Sequence, residues 1–134
     1  MCGIIALFGE EVDISSHLLN HRGPDDYKSQ TLGKCRMDFY RLAINDLTPA
    51  GMQPFRQGSH MLVCNGEIYN HRDFPKPPGS SQSDCEVILP LIEAHGIEKA
   101  LNLMNGDFAF VVSDGKRIMA ARDPIGVRPL FYTR

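Results

Sequence analysis

The feature that most constrains this chain lies at its start, where Gly3-Ile4-Ile5-Ala6-Leu7-Phe8-Gly9 forms a continuous apolar run directly behind Met1-Cys2. A run this short, rich in β-branched residues and closed by Gly and acids, reads as a buried strand rather than a helix. A central strand so near the N-terminus leaves Cys2 at its open end, where a side chain is rigidly held. Removal of Met1 would give Cys2 a thiol and a free α-amine on the same carbon. An unperturbed thiol titrates near ~8.5 and an α-amine near ~7.7–8.0. Part of that amine is therefore unprotonated at neutral pH and can accept the thiol proton, so that the residue carries its own general base. The plain alternative is a cysteine that serves as a small buried hydrophobe. Cys2 alone does not choose between them.

The rest of the chain supplies the layers around that strand. Residues 13–20 read as a short helix, with Asp13 able to cap it and Ile14, Leu18 and Leu19 on one face. Gly23-Pro24-Asp25-Asp26 then ends it with turn chemistry. Alternation over residues 34–44 predicts a strand, with Cys35, Met37, Phe39 and Arg41 on one side and Arg36, Asp38, Tyr40 and Leu42 on the other. Thr48-Pro49-Ala50-Gly51 and Gln53-Pro54 make a loop. Residues 60–64 are a second short apolar strand, and Asn65-Gly66 behind it reads as a hairpin turn.

Residues 72–82 form a Pro/Gly/Ser-rich connector without period. Ser83-Asp84-Cys85-Glu86 fits a capping box for a helix carrying Val87, Ile88, Leu91 and Ile92 and stopped by Gly96, in which Pro90 is expected to introduce a kink. A second helix over residues 97–104 follows. Strands over residues 107–112 and 117–121 are joined through Ser113-Asp114-Gly115, and residues 129–132 start one more strand. Strands and helices that are grouped rather than alternating favour an α+β fold.

Composition narrows the class of function. With 43% hydrophobic residues, 22% charged residues and a formal net charge of −2, the chain is an ordinary globular domain. It offers no basic surface for nucleic acid and no apolar run long enough to span a membrane. The first apolar run lacks a basic flank and is too short for a secretory signal. The scattered Cys2, Cys35, Cys64 and Cys85 contain no C-x-x-C pair, and the histidines have no metal-ligand spacing, so no metal site is expected. Reduced thiols and a cytoplasmic location are the expectation.

Several stretches match one family in order: Met1-Cys2-Gly3-Ile4, His21-Arg22-Gly23-Pro24-Asp25, Arg41-Leu42-Ala43-Ile44, Gly51-Met52-Gln53-Pro54, Asn65-Gly66-Glu67-Ile68-Tyr69-Asn70-His71, Ser83-Asp84-Cys85-Glu86, Asn105-Gly106-Asp107-Phe108-Ala109-Phe110, and the run from Ala121-Arg122-Asp123-Pro124 to Leu130. Together they resemble the class II glutamine amidotransferase domain of glutamine-dependent asparagine synthetases, from the first residue to the last. The resemblance implies an N-terminal-nucleophile hydrolase fold, a four-layer αββα sandwich in which two antiparallel sheets lie between helical layers. It also implies that Cys2 is the nucleophile. By resemblance, Cys2 attacks the side-chain amide of L-glutamine, passes through a glutamyl thioester and releases ammonia for a synthetase partner.

The same resemblance assigns the site. Asn65, through its side-chain amide, and Gly66, through its backbone N–H, would stabilise the oxyanion. Arg41 would hold the substrate α-carboxylate with its planar fork, and Asp84, with Glu67 beside it, the α-ammonium. Leu42 and Ile44 would shape the pocket. The plain alternatives are a solvated strand-end charge for Arg41 and a helix cap for Asp84. His21, Arg22, Asp123 and Arg128 belong to the motifs but read as loop-ordering or interface residues. No cofactor is implied for this domain, because ATP and magnesium belong to a family-type synthetase part.

The chain departs from the family pattern in places. Tyr40 precedes Arg41 where the family often carries a polar residue, the first helix and the connector before Ser83 look shortened, and Pro90 interrupts a helix. The domain, residues 1–134, is expected to be shortened at its C-terminus and to lack the ATP-binding Ser-Gly-Gly-Leu-Asp-Ser loop of a synthetase domain. The competing expectation is a catalytically inactive relic of the domain, retained as a binding or regulatory module.

Overall fold

The computed structural model describes residues 1–9 and 12–133; the two acids closing the first apolar run fall outside that description. Strands β1 (Gly3–Phe8), β2 (Asp26–Leu32) and β3 (Cys35–Arg41) form an antiparallel sheet ordered β1-β3-β2, so that β3 is its centre and β1, expected to be central, is an edge strand. Strands β4 (Phe55–Gln57), β5 (His60–Ile68), β6 (Gly106–Ser113) and β7 (Ile118–Arg122) form a second, ordered β4-β5-β6-β7. Helices α1 (Ile88–His95) and α2 (Ile97–Leu103) lie between β5 and β6 in sequence.

Side-chain alternation builds the layers. Ile4 and Ala6 of β1 with Met37 and Phe39 of β3 meet Met61 and Val63 of β5 and Val111 of β6, which closes one core between the sheets. The opposite faces of β5 and β6 carry Leu62, Cys64, Phe108, Phe110 and Val112 against Val87, Ile88, Leu91, Ile92 and Ala100 of the helical layer. The α+β sandwich of two antiparallel sheets is therefore present, and the alternation over β3 places Cys35, Met37 and Phe39 inward as expected.

The outer face of the first sheet differs from the expectation. Residues 16–22 form turns rather than a helix. Backbone bonds run mostly three residues back, from Leu18 to Ser15, Asn20 to His17 and Arg22 to Leu19. The side chains compete with helical bonding: the Ser15 hydroxyl accepts from the His17 N–H at 3.3 Å and Asn20 bonds the His17 ring at 3.0 Å. These turns still cover the sheet. The hydroxyl of the fully buried Tyr40 donates to the Ser15 carbonyl at 3.2 Å, and Leu19 sits so close over Gly3 that a Cβ there would press on it.

Other expectations also need correction. β2 went unread because Asp26-Tyr27-Lys28-Ser29-Gln30-Thr31-Leu32 is largely polar and lies at a sheet edge; Gly33, with φ +56°, supplies its hairpin to β3. Asn65-Gly66 is not a turn. β5 continues through it, pairing Asn65 with Ala109 and Gly66 with Phe108. Gly66 is needed for close approach, since a Cβ would collide with the Asp107 carbonyl and Phe108 Cα.

The capping box does not form at Ser83, which makes no side-chain cap bond. Instead the Glu86 carboxylate reaches back to the Ser81 N–H and hydroxyl, at 2.7 and 2.5 Å. Asp84–Val87 is a 3₁₀ turn before α1, which leaves Pro90 within the first turn of α1, where a missing N–H costs no intrahelical bond. The expected kink is thus a change of helix type. Gly96, at φ 76°, stops α1 as read. Residues 129–132 are not a strand, and Phe131 and Tyr132 are almost fully exposed.

Candidate active site

Cys2, Arg41, Leu42, Ile44, Asn65, Gly66, Glu67 and Asp84 all line one cleft at the end of the sandwich. Sheet register explains the first part of this convergence. Gly3 pairs with Tyr40, so one residue further out Cys2 lies beside Arg41 and Leu42. The Cys2 sulfur accepts from the Leu42 N–H at 3.3 Å, and the Arg22 guanidinium donates to the Cys2 carbonyl at 3.4 Å. Burial pushes the Cys2 thiol up, opposed by the Leu42 N–H, the nearby chain terminus and Arg41. Met1 also lines the cleft and its sulfur meets the Arg128 guanidinium. While Met1 remains, the Cys2 nitrogen is an amide and cannot act as a base.

Arg41 is not a solvated strand-end charge. It is 7% exposed, and its guanidinium donates to the Asp46 carbonyl. The Asp46 carboxylate holds the turn that follows, accepting from the Thr48 hydroxyl at 2.6 Å, the Thr48 N–H at 2.8 Å and the Gln82 N–H at 2.8 Å. Those bonds, the Thr48 hydroxyl foremost, draw its pKa below the ordinary 3.8. Arg41 therefore enters the cleft from a strand end whose loop is pinned on both sides.

The donor edge comes from β5. β4 reaches only as far as Phe55, opposite Leu62, and beyond that point the outer edge of β5 faces the cleft. Side chains complete it. Gln53 accepts from the Cys64 N–H at 2.6 Å and donates to the Cys64 carbonyl at 3.2 Å. Asp84 accepts from the Ile68 N–H at 2.6 Å. Cys64 and Ile68 thus turn their polar groups to this edge, and strand alternation turns those of Gly66 the same way. The Gly66 carbonyl accepts from the Cys85 thiol at 3.5 Å, and Gly66 itself lines the cleft. Asn65 and Glu67 extend the opposite face, the one that carries Met61 and Val63 between the sheets.

Asp84 is not a helix cap either, since the N-cap residue is Ser83. Its second oxygen accepts from the Asn45 side-chain amide at 2.8 Å, which leaves a buried carboxylate, 5% exposed, in the cleft wall. Ile44 is 59% exposed and forms the rim. A hydrogen bond with Cys64, reinforced by burial, pushes the Cys85 thiol well above the ordinary range. Sequence reasoning missed Gln53, Asn45 and Asp46. Gln53 stood in a quoted motif, but nothing in Gly51-Met52-Gln53-Pro54 says that its amide completes a strand. Asp123 and Arg128 order the loop after β7: Asp123 accepts from the N–H groups of Gly126, Val127 and Arg128, and Arg128 pairs with Asp107 at 2.7 Å.

The arrangement places a thiol, a guanidinium, a buried carboxylate and a backbone donor edge around one small cleft. A family model described as a glutamine amidotransferase domain matches residues 1–134. Over 98% of its length the chain is 41% identical to a probable asparagine synthetase (glutamine-hydrolyzing) of Acanthamoeba polyphaga mimivirus, covering 27% of that protein. It is 39% identical to the asparagine synthetases (glutamine-hydrolyzing) of Rattus norvegicus and Homo sapiens over 98% of the chain and 26% of each relative. The chain thus spans about a quarter of the length of the curated relatives it matches.

Proposed function

The chain belongs to the glutamine amidotransferase family, and from that premise we propose that it hydrolyses the side-chain amide of glutamine at Cys2 and supplies the ammonia to an asparagine-synthetase-like domain or chain, where an aspartyl group accepts it. The observation that carries this reading is the Cys2 sulfur held at 3.3 Å from the Leu42 N–H, in the cleft lined by Asn65 and Gly66.

In the proposed reaction the α-amine of Cys2, free once Met1 is removed, takes the thiol proton while the sulfur attacks the amide carbon. Charge develops on the amide oxygen, which the Asn65 side-chain amide and the Gly66 N–H receive. Collapse of that adduct breaks the C–N bond; the α-ammonium returns its proton to the leaving nitrogen, and ammonia departs from a glutamyl thioester. Water, deprotonated by the same amine, cleaves the thioester to glutamate and regenerates the thiol. Arg41 binds the substrate α-carboxylate through paired N–H bonds, Asp84 and Glu67 bind the α-ammonium, and Leu42 and Ile44 shape the wall. These steps draw on side-chain and backbone groups alone, with no cofactor in residues 1–134, which act as one amidotransferase domain.

No helix among the described residues is long and apolar enough to cross a membrane. The free thiols at Cys2, Cys35, Cys64 and Cys85 fit a reducing, cytoplasmic setting.

The test is ammonia and glutamate release from chain freed of Met1 by methionine aminopeptidase, with the N-terminus verified by mass. Processed wild type should hydrolyse glutamine, and Cys2→Ala should lower the rate by at least about 10⁴-fold. Hydrolysis that survives Cys2→Ala sinks the mechanism. Clean loss of Met1 without ammonia release would instead identify a binding or regulatory module.

A further inference from the structure

Gln53 is 4% exposed and lines the cleft, yet takes no part in the proposed chemistry. Its side-chain amide makes the paired bonds that a neighbouring strand would make, accepting from the Cys64 N–H at 2.6 Å and donating to the Cys64 carbonyl at 3.2 Å. It does so where β4 has already ended. We propose that Gln53 is a positioning residue for the oxyanion site: by standing in for the missing strand partner at Cys64, it holds the edge of β5 extended so that the Gly66 N–H and the Asn65 amide keep their aim into the cleft. The proposal rests on the glutaminase reading and gives Gln53, which lines the same cleft, a part in it that acts through the β5 backbone.

Geometry carries the inference. Cys64 is two residues before Gly66 on the same edge, so any change in the strand path at Cys64 passes directly to Gly66. On its other side Gly66 pairs with Phe108 of β6, close enough that a Cβ there would collide with the Asp107 carbonyl, so the strand path at Gly66 is set by its neighbours on both sides. Among the described residues the Gly66 carbonyl takes only the Cys85 thiol, at 3.5 Å, and the following tie on this edge is the Ile68 N–H to Asp84, so the Gly66 N–H lies between side-chain anchors on either side. Loss of the first leaves two buried backbone groups of Cys64 seeking water, and the most direct source of water is the cleft itself. Displacements of about 1 Å at such donors are enough to cost about 10²-fold in rate. Of the groups that would hold glutamine, Arg41 at the end of β3 and Asp84 in the 3₁₀ turn lie on other elements, and Glu67, the one on β5, lies beyond Gly66 next to the Ile68–Asp84 tie. The effect therefore belongs in kcat and not in KM.

Two variants of the full chain, with Met1 removed, test this. Gln53→Leu keeps the volume but removes both bonds, and should lower kcat for glutamine hydrolysis by about 10- to 100-fold with KM within about twofold of wild type. Gln53→Glu can accept from the Cys64 N–H when ionised but donates to the Cys64 carbonyl only when protonated. Its kcat relative to wild type should therefore rise as pH falls, whereas Gln53→Leu shows no such trend. A variant with wild-type kcat, or one that raises KM at unchanged kcat, overturns the proposal. So does failure of both variants to fold, which would make Gln53 a structural brace. If processed wild type is no more active than Cys2→Ala, the glutaminase reading itself falls and the positioning role falls with it; activity that depends on Cys2 but is indifferent to Gln53 refutes only the positioning role.

Discussion

Arg41 shows how one side chain can be legible in sequence and yet acquire its meaning only from its surroundings. Its charge type suits a carboxylate, and the structure adds that the group is buried and aimed by the Asp46 carbonyl. Replacing it with Ala should raise KM for glutamine by about 10- to 100-fold, the worth of a charge-assisted pair of about 1.5–3 kcal/mol, with a smaller effect on kcat. Arg41→Lys, which keeps the charge and loses the planar fork, should fall between Ala and wild type. Steady-state kinetics on both variants check this, and a wild-type KM for Arg41→Ala contradicts the clamp. Cys2 stood out by its place at the N-terminus, and the family resemblance assigned Arg41 and Asp84, whose side-chain charge then suits the role. Gln53 and Asn45 could not be singled out. An amide becomes informative only when its partners are known, and those partners are 11 and 39 residues away in the chain.

At the scale of elements, the readable strands were those whose apolar content survives in the sequence: β1 is a continuous apolar run, β3 and β6 are buried over nearly their whole length, and β7 alternates. β2 lies at a sheet edge with a polar sequence, and residues 13–20 carry Ser, His and Asn side chains that bond locally and defeat the helix. Asn65-Gly66 misled for a different reason. The pair has turn chemistry, but β6 on one side and Gln53, Cys85 and Asp84 on the other hold it straight. The loop after β7 is organised by a single carboxylate. Asp123, 2% exposed, accepts from Gly126 at 2.6 Å, Val127 at 2.9 Å, Arg128 at 3.1 Å and Phe108 at 3.3 Å. Asp123→Asn replaces one acceptor oxygen by a donor facing N–H groups, and should destabilise the domain by about 2–3 kcal/mol. Urea unfolding at neutral pH reads this directly; a change under about 0.5 kcal/mol, the size of an ordinary surface substitution, contradicts it.

At the scale of the whole molecule, Asp46 and Asp123 act in the same direction under acid. Burial acts to raise Asp123, but the N–H groups of Val127, Arg128, Gly126 and Phe108 together hold it below the ordinary 3.8; the Thr48 hydroxyl foremost does so for Asp46. A carboxylate whose folded pKa lies below its unfolded value contributes stability that is fully present above the unfolded value. That stability is lost as pH falls through the folded pKa. On account of these two groups the melting temperature should stay level down to about pH 5 and then decline below about pH 4. An Asp46→Asn, Asp123→Asn double variant should start lower and decline less steeply. Parallel acid limbs for wild type and the double variant would show that other groups govern the transition.

The edge of β5 has a consequence beyond catalysis. A functional cleft that opens onto an unpaired strand normally exposes a regular row of donors and acceptors, which another extended chain can join, and this is the route to edge-to-edge aggregation. Here the row is interrupted: Cys64 is occupied in both directions by one amide, the Gly66 carbonyl by a thiol and the Ile68 N–H by a carboxylate. The gap left open admits a small molecule but offers no continuous register to a polypeptide. The same few side chains that line the cleft therefore also break up this stretch of edge as a template for another extended chain.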